Sequence, residues 1–155
     1  METSLQAAQP HDIADVRELF LEYAGWLGED LCFQGFEAEL AGLPGDYAGP
    51  RGALFIAKSQ AGAAGCIALR PFDAKTGEIK RLYVRPAYRG AGLGERLAAR
   101  CLDAARAAGY ERLVLDTLDR MDAAVKLYGK LGFRPIPAYY NNPIAGALYF
   151  ELLMR

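Results

Sequence analysis

The sequence predicts an α/β fold, one mixed sheet with helices on its faces, on three observations. Short apolar runs bounded by glycine and proline fill the middle of the chain, apolar residues at steps of three and four precede them, and in the second half the two patterns alternate. Strands that first follow one another and then alternate with helices need both hairpin turns and a parallel return, and the return takes a crossover. With 155 residues, 52% of them hydrophobic, the chain can bury a core as a single domain over 1–155 without disulfides or metal.

Each element has its own signal. Ile13, Val16, Phe20, Tyr23 and Leu27 mark one face of a first helix, with Pro10 and Asp12 suited to its first turn. Phe36, Leu40 and Leu43 mark a short second helix that Pro44-Gly45 stops, and the glycine- and proline-rich segment 42–52 reads as loop. Ala53 to Lys58 and Gly65 to Arg70 form a hairpin about Gly62, and Glu78 to Val84 a third strand. Leu93, Leu97, Cys101, Ala104 and Ala108 give a helix ended by Gly109, and Leu113 to Leu115 a buried strand. Met121 to Leu131 give a further helix that Asp119 can cap, and Ala147 to Leu152 a last strand.

Charge and cysteine usage exclude several functions. Eighteen Lys and Arg balance nineteen Asp and Glu, so no basic excess attracts nucleic acid or an anionic membrane. Cys32, Cys66 and Cys101 are far apart and His11 is the lone imidazole, which fits neither a zinc site nor a disulfide framework, and no metal is expected. No basic leader with an apolar run is seen, nor a stretch of the ~20 apolar residues that spans a bilayer, so a reducing, cytoplasmic setting is expected.

Glycine is the residue in excess, at 17 of 155. Three of these stand in Arg89-Gly90-Ala91-Gly92-Leu93-Gly94, between a strand and an amphipathic helix. Glycines let the backbone curl with its amides inward and the helix start adds partial positive charge, so the turn can hold a phosphate without a basic surface. The spacing is not that of a dinucleotide fold, since Glu95 stands where a third glycine belongs, nor of a P-loop, since Glu95-Arg96 replace Lys-Ser or Lys-Thr.

The hexapeptide resembles the Gln/Arg-x-x-Gly-x-Gly/Ala signature of the GNAT superfamily of acyl-CoA-dependent N-acyltransferases. Glu78-Ile79-Lys80-Arg81-Leu82-Tyr83-Val84-Arg85-Pro86 resembles that family's central strand and its exit, and Ala124 to Phe133 is similar to Ala-x-x-Leu-Tyr-x-Lys-x-Gly-Phe. The resemblance, in element order as well, runs from about residue 5 to 153. It implies a mostly antiparallel sheet with a splayed central strand pair, acetyl-CoA as co-substrate, and, by analogy with the family, a homodimer. It also implies that the turn from Arg89 to Gly94, Ala91 included, binds the CoA pyrophosphate, and that Leu82 and Val84 pair with the pantetheine arm. An amide near Leu82 or Tyr83 then serves the developing oxyanion.

For the chemistry, Tyr128 is the matched acid for the departing thiolate, with a core tyrosine as the plainer alternative. Glu78 lies at the spacing of a base, working through water; the plainer alternative is a surface pair with Lys80 or Arg81. Met121 departs from the family's asparagine, and Gly129 weakens its helix by roughly 1 kcal/mol relative to alanine. Phe33, Gln34, Phe36, Tyr47, Tyr139, Tyr140, Asn141 and Asn142 offer aromatic walls and neutral polar groups suited to a small-molecule amine acceptor. Phe33-Gln34-Gly35-Phe36 with Leu43 to Tyr47 resembles a small bacterial subgroup of the family. Cys66 and Cys101 lack the nearby histidine of a thiol nucleophile, so direct transfer is expected over an acyl-enzyme. The rival expectation is a non-catalytic acyl-CoA-binding module on the same scaffold.

Overall fold

The computed structural model describes residues 2–154, apart from the Phe33 side chain. Seven strands form one sheet in the order β1-β2-β3-β4-β5-β7-β6. They are β1 (Ser4–Ala7), β2 (Ala53–Ser59), β3 (Gly62–Pro71), β4 (Thr76–Val84), β5 (Arg112–Leu118), β6 (Arg134–Ile136) and β7 (Ala147–Leu153). Every neighbouring pair is antiparallel except β4 and β5. The helices are α1 (Ile13–Leu27), α2 (Phe36–Ala41), α3 (Leu93–Ala107) and α4 (Asp122–Lys130).

Two apolar layers hold them. On one face Leu93, Leu97 and Cys101 of α3 and Tyr128 of α4 pack on Ile67, Leu69 and Leu115. On the other, Val16, Leu19 and Phe20 of α1 pack on Ile56, Cys66 and Ala68. The α3 stripe is the one the sequence periodicity marks, which is why that helix is legible from spacing alone.

The β4–β5 ladder is short. It runs from Thr76 opposite Arg112 to Glu78 opposite Val114 and stops, although β4 continues to Val84 and β5 to Leu118. The two strands part at the centre of the sheet, as the splayed pair requires. A register shift between Cys66 and Ala68 on β3 sets two residues, Arg81 and Leu82, against Ile67 alone. Arg81 takes φ 62°, the one positive φ at a non-glycine among the described residues. Such a bulge bends the strand and strengthens its twist, and it sits where β4 leaves β5.

Several local expectations need correction. Asp119 does not cap α4: the N-cap is Met121 and no side-chain cap bond forms, while the Asp119 amide donates to Gly146 O. The segment 42–52 is not all loop, since Gly45–Tyr47 forms a 3-10 turn that buries Tyr47 against Phe20. The second helix ends at Ala41, short of Leu43. Strands β1 and β6 have no counterpart in the sequence reading.

Candidate active site

The gap between the parted strands opens a cavity of about 410 Å³. Leu82, Tyr83 and Val84 of β4 form one wall, Asp116 and Thr117 of β5 the opposite one. Beyond Glu78 the β5-facing backbone of β4 has no ladder partner, so an extended ligand arm can pair with it as a strand does.

The glycine turn forms the outer end. Arg89, Gly90, Gly92, Leu93 and Gly94 line the cavity, while Ala91 faces a separate depression with Arg96 and Thr3. Gly90 and Gly92 hold φ 84° and 79°, a conformation that side chains strain. Gly92 is the N-cap of α3 and no side chain caps it; the first intrahelical bond is Arg96 N–H to Gly92 O. The N–H groups of Leu93 and Gly94 are thus free for an anion by helix geometry. Arg89 adds a cation at the rim, where its Nε donates to Val84 O and its guanidinium lies 4.9 Å from the Trp26 ring centroid. Orphan amides at one end and an unpaired strand at the other fit the pyrophosphate and pantetheine of a CoA thioester.

Tyr128 stands at the seam. Its ring is buried against Phe133, 5.6 Å between centroids, and the residue lines the cavity. Its hydroxyl makes no hydrogen bond among the described residues, and burial pushes the phenol above its ordinary value, so it stays protonated.

Glu78 is elsewhere. It is buried, accepts from Arg70 Nε at 2.9 Å and from the Tyr139 hydroxyl at 2.5 Å, and does not line the cavity. It forms no surface pair with Lys80 or Arg81 among the described residues, and it stands off the wall where an acceptor base is expected. Both of its oxygens are engaged, because Glu78 sits where the β4–β5 ladder is still closed.

The carboxylate that faces the cavity between the strands is Asp116, two residues further along β5 than the partner of Glu78. Its Oδ2 accepts from the Tyr140 hydroxyl and from Asn142 Nδ2 at 2.8 Å, and its Oδ1 lies 3.8 Å from Lys80 Nζ. Lys80 Nζ donates to Gln34 Oε1 at 3.0 Å, and Gln34 Nε2 donates to the Tyr140 hydroxyl at 3.2 Å. Burial holds the Lys80 ammonium below its ordinary pKa, with Asp116 and Glu78 working against the shift. Gln34 lines the cavity, whereas Tyr140 stands behind it as a prop for Asp116. Tyr47 is core, not cavity wall, because the 3-10 turn points it inward. Phe33 lies outside the described side chains. Lys80 and Asp116 were missed by sequence reasoning; an acid inside the apolar run from Leu113 to Leu118 was the available signal. Met121 lines the cavity at the start of α4.

Orphan amides beside a parted strand pair, on this sheet topology, define the acyl-CoA-dependent transferases, and the comparisons agree. The Acetyltransferase (GNAT) family profile matches residues 13–133, and an uncharacterized N-acetyltransferase of Schizosaccharomyces pombe is 41% identical over 94% of this chain and 90% of its own length. The chain belongs to the GNAT family and is an acetyl-CoA-dependent acyltransferase. The fold is shared with an acetyltransferase of Streptococcus agalactiae, with TM-score 0.81, 24% identity and 98% of both chains covered. It is shared also with yncA of Salmonella typhimurium, a putative acetyltransferase solved with acetyl-CoA, with TM-score 0.68, 22% identity and coverage of 99% and 94%. Relatives come from fungi as well as bacteria, so the family match does not single out a bacterial type.

Proposed function

We propose that the protein passes the acetyl group of acetyl-CoA directly to the amine of a small-molecule acceptor while both are bound, in a reducing, cytoplasmic setting. The parting of β4 from β5 with Tyr128 at the seam carries this reading. Bound acetyl-CoA supplies an activated thioester, and the chain does the rest. The amides of Gly90, Gly92, Leu93 and Gly94 bind the pyrophosphate, Arg89 adds charge at the rim, and the free backbone edge of Leu82 to Val84 aligns the arm.

Tyr128 donates its proton to the departing sulfur. A phenol held above its ordinary value can do so because the proton moves as the bond breaks, which makes position matter more than the equilibrium difference. An amine arrives mostly protonated and must shed protons to form an amide. As its nitrogen commits its lone pair to the new bond, the remaining proton becomes acidic, and Asp116 is placed to take it. Glu78 then orients Tyr139 instead of meeting substrate.

The thiols support direct transfer. Burial pushes Cys101 up to about 12 and Cys66 higher still, and a hydrogen bond to Asp30 raises Cys32, so none is readily a thiolate nucleophile. The test follows free CoA thiol during incubation with acetyl-CoA and a panel of amines, amino acids and polyamines, with products identified by mass. Acetylated acceptor is expected, with the protein's intact mass unchanged by acetyl-CoA alone. A protein carrying acetyl-cysteine would end the direct-transfer reading.

A further inference from the structure

We propose that the acceptor is an α-amino acid, its carboxylate received by Lys80 and its ammonium by Asp116 where β4 and β5 part. The inference rests on the transfer reading above and adds the class of substrate to it.

The two side chains come from opposite arms of the gap and both line the cavity. Lys80 is 3% exposed and Asp116 8%, so each has left bulk water and needs partners within the protein or its ligand. An ammonium has three donors. Lys80 spends one on Gln34, and Asp116 at 3.8 Å is an ionic neighbour beyond hydrogen-bond distance. Asp116 is saturated on Oδ2 by Tyr140 and Asn142, while Oδ1 has no hydrogen-bond donor among the described residues. Spare donors and a spare acceptor thus stand side by side at the cavity wall.

The other charges nearby are consumed in pairs. Arg81 is gripped by Glu39, and Glu78 by Arg70 and Tyr139. Between the parted strands, inside the rim that Arg89 and Glu95 share, the site therefore presents one cation and one anion and no net charge. A simple amine would satisfy Asp116 but press its own positive charge on Lys80 and leave the buried donors unmet. A polyamine adds further positive charge, and a phosphate would be repelled by Asp116. A zwitterion laid head to tail against the pair satisfies both, since an α-amino acid carries ammonium and carboxylate on one carbon. This orientation holds the nitrogen beside Asp116, on the same cavity as Tyr128. The transfer forms the N–C amide bond and breaks the C–S bond. The ammonium first loses one proton to solvent by way of Asp116, which frees the lone pair to attack. As the bonds change, Tyr128 gives its proton to the sulfur and the nitrogen gives its second proton to Asp116, from which the Tyr128 phenolate is restored through solvent.

Matched pairs test it: α-amino acids against the same molecules as α-carboxamides, each with acetyl-CoA, by thiol release and product mass. The amide's amine is the less basic and more often unprotonated at neutral pH, which biases the comparison against the proposal. The acids are expected to show kcat/KM at least tenfold above their amides. Lys80→Met should lower the acids' kcat/KM at least tenfold more than the amides', so that the native preference for acids disappears, and keep the rise in Tm that acetyl-CoA gives the native protein. Amides used as well as acids, or no amino acid acetylated, overturns the proposal, and the comparison with native protein needs no variant to fold. If other amines are acetylated, only the substrate class falls; if nothing is acetylated and acetyl-CoA does not raise Tm, the transfer reading falls with it.

Discussion

The guanidinium of Arg81 and the carboxylate of Glu39 are locked by two hydrogen bonds, Nε to Oε2 at 3.0 Å and Nη2 to Oε1 at 2.9 Å, across the bulge that bends β4 away from β5. Burial, the largest single influence, opposes the Arg81 charge, yet the Glu39 hydrogen bonds together with the charge interactions of Tyr47, Glu39 and Tyr23 outweigh it and raise its pKa. Removing one partner of a buried ion pair strands the other, so Glu39→Ala should cost about 3–5 kcal/mol. Urea unfolding of the two proteins measures it. The same variant should weaken acetyl-CoA binding, because the bulge shapes the edge that receives the arm; full stability and affinity would show the pair to be idle.

Tyr128→Phe separates the chemistry from the fold. The lost hydroxyl makes no hydrogen bond among the described residues, so Tm should hold within a degree or two while kcat falls by about a hundredfold, the lower end of what a positioned proton donor gives. Acetyl-CoA affinity should stay close to the native value. Kinetics with the best acceptor and a binding titration decide it, and unchanged kcat removes Tyr128 from the mechanism.

Gly65 and Gly92 fail differently when given a side chain. At Gly65 a Cβ would lie 2.6 Å from Tyr83 O and 3.3 Å from Leu97 Cδ1, forcing backbone apart. At Gly92 it would meet nothing within 4 Å, and only the φ of 79° resists it. Gly65→Ala should therefore destabilise by about 1–3 kcal/mol or more, and Gly92→Ala by about 1–2 kcal/mol. Gly92→Ala should show its larger effect on ligand: the Tm rise on adding acetyl-CoA shrinks, since the strained turn displaces the amides that meet phosphate. Equal acetyl-CoA response in native and Gly92→Ala protein would count against that turn as the anion site.

What the sequence made legible was whatever repeats or is local. The α1 and α3 stripes and the curled turn at Gly90 to Gly94 follow from spacing and from glycine's freedom. The hidden parts depend on distant partners. Strand β1 is four residues long and β6 three with a proline, edge strands too short to show alternation. Simple alternation sends Lys80 and Arg81 to opposite faces. The bulge brings both to the side of Gln34 and Glu39, so two charges that read as surface become buried partners. Tyr47 and Glu78 were misread for the reverse reason: each has a site-like residue type, but a 3-10 turn and a closed ladder direct them away from the cavity.

Glu151 supplies a pH signature. From β7 it accepts from Arg112 Nε at 2.7 Å on one side and from Arg134 Nε and Nη2 at 2.9 and 2.7 Å on the other, tying β5 to β6. The Arg112 and Arg134 hydrogen bonds hold its carboxyl below the ordinary value of 4.5 despite burial. Because the folded value is the lower one, the unfolded chain binds the proton more readily, and stability falls as the pH is lowered. The contribution is complete above about 4.5 and is lost as pH drops through the lowered folded value. Glu151→Gln should cost roughly 1–3 kcal/mol at pH 7, discounted toward the low end because Arg134 is largely exposed. The deficit should narrow as the pH is taken below 4.5 toward 3, where the native protein loses what the variant never had. Urea midpoints of both proteins across this range measure the gap, and a gap constant with pH would mean that the carboxylate's charge is not what holds the strands.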